Sequence, residues 1–188
     1  PAFQLNVFFP SNVFEKLERI TKLKLPGGIG LFFTLMVGMY ILLVSLKVNP
    51  WLAGIGSLAF AFSAFFIISF AAGHNAKLRA AGYIAPMLGG IILTLNGKRL
   101  LGMATTALFL GMAISANHLQ ITYYSALVVL VMLITYLVSA YKAKELKNYF
   151  ISVAFLAGAA LIAIIPNTSK LWTTYEFTKE TIRGGKSE

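Results

Sequence analysis

Charge is distributed along this chain in a way that few folds tolerate. Five long stretches carry no Lys, Arg, Asp or Glu: 25–46, 48–73, 80–97, 100–141 and 148–169. A helix that crosses hydrocarbon needs about 20 predominantly apolar residues, with a lower limit near 17. Four of the stretches are one crossing long, and 100–141 is two, interrupted by Asn117-His118-Leu119-Gln120. The spacing predicts about six transmembrane helices, an all-α polytopic membrane bundle. Composition agrees: 58% of residues are hydrophobic and 12% charged, with a mean hydropathy of +0.78, whereas a soluble domain carries roughly 25% charged residues.

The expected order is a first extramembrane segment, 1–26, a six-helix bundle, 27–166, and a second segment, 167–188. In the first, Ser11 is positioned to cap a helix from Asn12, and Val13, Phe14, Leu17 and Ile20 recur at helical spacing opposite Lys16, Arg19 and Lys22. Such a helix suits the membrane interface, apolar side down. The spans are expected near 29–46, 51–72, 81–95, 100–116, 121–141 and 149–165. The third is the weakest, because Pro86 removes a backbone donor and Gly89-Gly90 loosens the chain just beyond it. A kink or break is expected there. No Met opens the chain and no stop pattern closes it, so both ends are expected to be cuts within a longer protein.

Alternation of the spans divides the connections between two faces. One receives Lys47, Lys98-Arg99, and Lys142, Lys144 and Lys147 with Glu145, all in tight turns against the spans. The positive-inside rule makes this face cytoplasmic. The other receives both histidines and Glu15, Glu18, Glu176, Glu180 and Glu188. The net charge of +10 forms no stripe on a soluble surface. It points to membrane lipids as partners and not to nucleic acid.

The spans hold no Lys, Arg, Asp, Glu or His at mid-depth, where ion-coupled carriers usually bury one. Polarity gathers instead at the outer mouth. His74, Asn75, Lys77 and Arg79 follow the second span. Asn117, His118 and Gln120 close the fourth, and Tyr123 and Tyr124 open the fifth. Lys170, Trp172, Tyr175, Glu176, Lys179 and Arg183 lie beyond the sixth. The plainer reading makes the His, Asn and Gln residues helix caps and the aromatic residues an interfacial belt. The sharper reading makes Lys77 and Arg79, beside His74 and Asn75, a site for a lipid phosphate. Cysteine is absent, which excludes disulfides and thiolate metal sites. Two histidines in separate turns are too few for a metal centre, so none is expected. General acid–base work would fall to His118, His74 or Glu176.

Several segments together carry a family resemblance. They are Val48-Asn49-Pro50-Trp51-Leu52-Ala53, Ala59-Phe60-Ala61-Phe62-Ser63, and Ala72-Gly73-His74-Asn75-Ala76-Lys77-Leu78-Arg79-Ala80. Two more are Ala116 through Tyr124 and Leu171-Trp172-Thr173-Thr174-Tyr175-Glu176, the last followed by Arg183-Gly184-Gly185. In this order and spacing they resemble the YfhO family of bacterial polytopic membrane proteins, over essentially the whole chain. The resemblance implies a GT-C-type membrane glycosyltransferase in the bacterial plasma membrane. Such an enzyme takes a sugar from a polyprenyl-phosphate carrier to an extracytoplasmic acceptor. It implies an acidic catalytic loop upstream of Pro1, so that this chain is expected to lack the catalytic base. Asn75, Lys77, Arg79, Asn117, Gln120, Tyr123 and Tyr124 would then bind donor or substrate, and Trp172 and Tyr175 would stack on a sugar. A lipid or polysaccharide transporter and a non-catalytic membrane scaffold remain open alternatives.

Overall fold

The computed structural model describes residues 12–23 and 25–180. The expected Ser11 cap, Lys24 and the tail 181–188 with Arg183 lie outside the described residues, as do the side chains of Val13, Phe14, Glu15, Lys179 and Glu180. Helices run in the order α1 (Asn12–Thr21), α2 (Gly27–Ser45), α3 (Pro50–Ala61), α4 (Ala64–Ala71), α5 (Asn75–Leu95), α6 (Arg99–Ser115), α7 (Leu119–Lys142), α8 (Leu146–Ile164) and α9 (Thr168–Glu180). A 3-10 turn, Ile165–Asn167, joins the last two, and the described residues contain no strand.

Five segments are long and apolar enough to cross a bilayer: Gly27–Ser45, Pro50–Ala71, Asn75–Leu95, Gln120–Lys142 and Leu146–Glu176. The remaining expected span, α6, has 17 residues. At a rise of 1.5 Å per residue it reaches about 25 Å, short of a hydrocarbon core of about 30 Å. The chain is thus a helical bundle built for a membrane, with five full-length spans and one shorter helix among them.

Short turns at 46–49, 72–74, 96–98 and 143–145 reverse the chain through one recurring device. At each, a residue at positive φ sits just past the helix end: Lys47 (+62°), Gly73 (+76°), Gly97 (+93°) and Lys144 (+59°). The next N–H then reaches back to an orphan carbonyl, as in Val48 to Leu43, His74 to Ser69, Lys98 to Leu93 and Glu145 to Ala140. Gly suits the left-handed conformation, whereas a Cβ there costs roughly 1–2 kcal/mol. Lys47→Gly and Lys144→Gly are accordingly expected to raise the unfolding free energy by about 1 kcal/mol each. Thermal unfolding in detergent would measure this.

The centre of the bundle is α5, the span expected to be weakest. In its most apolar 18-residue window 67% of positions are buried, against 6% in α7, so α5 is the core and α7 is left to lipid or other protein. The helix is continuous from Asn75 to Leu95 with Pro86 inside it, and the expected break is absent. Its glycines serve contact and not looseness. The carbonyl of Gly82, which Pro86 cannot bond as a helix donor, lies against Gly38 of α2, where a Cβ would collide with it. Gly89 meets Leu42 and Ser45 of α2, and Gly90 abuts Gly102 and Thr106 of α6. Small residues at such crossings let two backbones approach, which is how membrane helices gain packing energy without a hydrophobic drive.

The break occurs instead in the second span, read from sequence as one helix. It falls at Phe62-Ser63, between α3 and α4. Ser63 is extended (φ −63°, ψ 149°), and rings brace both sides. Phe62 stacks on Phe32 (5.4 Å between centroids), and Phe60 meets Phe66 edge-on at 4.9 Å. Phe66 joins Leu31, Leu35, Ala61 and Leu78 in one buried cluster. On α4, Phe65 lies at the end of the bundle that carries His74 and Lys77.

Two further contacts shape that end. On α1, Leu17 packs against the cluster of Tyr83, Met112 and Ala113, while Lys16, Arg19 and Ile20 stay exposed. The bundle was expected to end at 166, but helix continues past Pro166 through a short 3-10 turn. Asn167 is fully buried and donates to Gly111 O (3.0 Å) and Ala163 O (2.9 Å), so α9 carries on from α8.

Candidate functional site

The stretch 74–79, read as a short polar loop, is for the most part helix. The turn closes at His74, and Asn75 through Arg79 form the first turns of α5. Ala, Lys, Leu and Arg are good helix formers, and long cationic side chains at a span's end reach out to the headgroups. The other polar group behaves alike. Asn117 is the left-handed residue of the turn (φ +55°), and Gln120 already belongs to α7.

His74 and His118 stand at the first positions ahead of α5 and α7, where a helix cap would sit. Neither side chain makes a capping hydrogen bond. Both instead line one cleft of about 450 Å³, together with Phe65, Lys77, Gln120, Ile121 and Tyr124. The helix-cap reading therefore fails for the two histidines, and two segments far apart in sequence share a single site.

Each wall has a physical origin. Lys77 lies one turn beyond His74, so both project to the same side. Its ammonium sits over the Phe65 ring, 4.4 Å from the centroid, an attraction to the ring's negative face. Among the described residues no carboxylate pairs with Lys77. On α7, the Gln120 side-chain amide donates to the Tyr124 hydroxyl at 3.4 Å, four residues on. Nδ1 of His118 is buried and has no hydrogen-bond partner, although such groups are rarely left unmatched. The lining thus offers an ammonium, two imidazoles, an amide and a phenol, and among the described residues no carboxylate.

Other candidates are placed elsewhere. Arg79, two residues from Lys77, points away and pairs with Glu18 of α1 at 3.5 Å, and Lys22 bonds the same carboxylate. Its part is to hold α1 on the bundle. Asn75 is exposed and outside the cleft, and Asn117 is spent on the turn. Tyr123 is exposed, its ring 5.9 Å from that of Tyr124. On α9, Trp172 Nε1 donates to Glu176 Oε1 at 2.7 Å, and the Trp172 and Tyr175 rings lie 6.2 Å apart. None of the three lines the cleft. Lys170 donates to Ser115 Oγ (2.9 Å) and to its carbonyl (3.4 Å), neutralising the negative end of α6.

Phe65 and Ile121 escaped the sequence reading. Phe65 sits in an unbroken apolar run, just past the break at Phe62-Ser63 that the sequence did not show. Compared with protein families, with curated proteins and with solved structures, the chain matches none.

Proposed function

We propose that the histidine cleft is the phosphate site of a YfhO-type, GT-C-like membrane glycosyltransferase of the bacterial plasma membrane. The carrier is a polyprenyl phosphate, and the sugar passes to an acceptor on the extracytoplasmic side. The observation that supports this reading is the gathering of His74, Lys77, His118 and Gln120 into one cleft at the end of a membrane bundle. A phosphate diester carries one negative charge and several acceptor oxygens, and Lys77, Gln120, Tyr124 and the imidazoles each have an N–H or O–H to offer them. Lys77 acts as the point charge, released from Phe65 when the anion enters. Gln120 and Tyr124 orient the oxygens. His118 delivers or takes the proton at the transferred group.

No carboxylate of the described residues lines the cleft, and Glu176 is engaged by Trp172 outside it. That favours a second reading, in which these residues bind a lipid phosphate for transport or scaffolding and no bond is broken there. Binding is common to both, and a direct test is available. The protein in nanodiscs is titrated with a polyprenyl phosphate. Lys77→Ala is expected to weaken retention by about 10- to 100-fold, the span of a hydrogen bond to a charged group. Unchanged retention in Lys77→Ala and Gln120→Ala would remove the phosphate site. With the acidic loop that the resemblance implies also present, retention without sugar transfer would select the second reading.

A further inference from the structure

The opposite end of the bundle carries a second polar cleft, to which nothing in the preceding reading gives a role. It has a volume of about 400 Å³ and lies where the turns 96–98 and 143–145 come together. With 21 residues in α5, it stands about 30 Å from the histidine cleft.

Arg99 is its fixed point. The guanidinium Nε donates to Ser152 Oγ at 3.3 Å, and Nη2 donates to Asn148 Oδ1 at 3.3 Å and to Asn148 O at 3.5 Å. Ser152 is 2% exposed and itself donates to Asn148 O at 3.0 Å. The arginine is therefore held in place by neutral partners, and among the described residues no carboxylate forms an ion pair with it. Glu145 lines the same cleft without pairing.

Three further features make this region electropositive. The end of the bundle carries Lys47, Lys98, Arg99, Lys142, Lys144 and Lys147 against Glu145 alone. Helices α6 and α8 both begin here, and neither has a side-chain cap on its first N–H groups. Those orphan donors and the positive helix ends favour an anion. By contrast the carbonyl ends of α5 and α7 are closed by Lys98 N–H to Leu93 O and Glu145 N–H to Ala140 O.

We infer that this cleft binds a phosphate group, that of an anionic phospholipid headgroup in the adjoining leaflet, with Arg99 as its anchor. With Nε and Nη2 held by Ser152 and Asn148, the Nη1 donors of the fixed guanidinium are left for phosphate oxygens. Basic pockets between spans at a lysine-rich membrane face are placed to take such headgroups. The bound lipid would add to the bridge that Arg99 makes between α6 and α8.

The test uses the whole chain in detergent, titrated with phosphatidylglycerol or with phosphatidylcholine of the same acyl length, and read by native mass spectrometry. The wild type is expected to retain phosphatidylglycerol preferentially. Arg99→Ala is expected to reduce that retention about tenfold, one charged hydrogen-bonding group lost. Because Arg99 also ties two helices, a second variant keeps the fold. Asn148→Asp preserves the bridge but places a carboxylate on the guanidinium, and it should reduce retention equally. Glu145→Gln removes the competing negative charge and should increase retention a few-fold. Inorganic phosphate identifies the source. If millimolar phosphate leaves the lipid bound, the headgroup is the ligand; if it displaces the lipid, the site takes the free ion as well. Retention indifferent to both Arg99→Ala and Asn148→Asp would overturn the inference.

Discussion

Gly102→Ala is expected to destabilise the bundle by about 3 kcal/mol or to prevent its assembly, the upper range for overpacking a tight core. A Cβ at this position would collide with Thr94 Oγ1 and stand 2.5 Å from both Gly90 O and Thr94 N. Two of these are backbone atoms of α5 and cannot rotate aside, so the helices themselves must separate. The opposite sign is expected for Gly54→Ala, where a Cβ meets nothing within 4 Å. There the helix gains roughly 0.5–1 kcal/mol from the lost flexibility of glycine. Thermal unfolding in a mild detergent distinguishes the two. Equal midpoints for both variants would show that α5 and α6 do not make this close approach.

The second large effect rests on the proposed transfer reaction. His118→Ala is expected to lower turnover about 100-fold while changing carrier affinity less than threefold, as for a residue acting only on the proton in flight. Lys77→Ala should show the converse: weakened affinity and, at saturation, a turnover within a few-fold of wild type. Steady-state transfer assays at several carrier concentrations, on reconstituted protein that includes the acidic loop implied by the resemblance, separate the two parameters. A fall in affinity alone for His118→Ala would make this imidazole a binding group. The unpartnered Nδ1 of His118 would then belong to phosphate recognition.

The helical membrane architecture was legible from residue order alone, and so was the sorting of polar residues to two ends. The outcome at α5 shows the limit. Pro86 and Gly89-Gly90 have the local signature of a weak helix, yet they lie in its most buried part. Proline's missing donor frees the Gly82 carbonyl, and the absent side chain of Gly38 makes room for it. A glycine reads as looseness when its neighbours are unknown and as a contact surface once they are. At Phe62-Ser63 the reverse holds. The local sequence gives no strong reason to stop a helix, and the rings of Phe32 and Phe66, one of them distant in the chain, brace the break.

The candidate site divides along the same line. Polar residues at helix ends in an apolar chain stand out by composition, which is why His74, Lys77, His118 and Gln120 were found. Their neighbours Asn75, Arg79 and Asn117 stood out equally and are used otherwise, for exposure, for an ion pair with Glu18 and for a left-handed turn. Lys77 and Arg79 differ only by two positions on a helix, about 200° of rotation, but one meets the cleft and the other meets α1. Which residues cross the membrane and which remain at its ends follow from hydropathy, a sum over neighbours in sequence. The union of His74 with His118, and of Arg99 with Ser152, depends on which helices touch. Those pairs are α5 with α7 and α6 with α8, and their contacts join segments far apart in sequence. At the second, Gly158 of α8 lies so close to Met103 of α6 that a Cβ would stand 3.2 Å from its methyl, a fit that only the packed helices reveal.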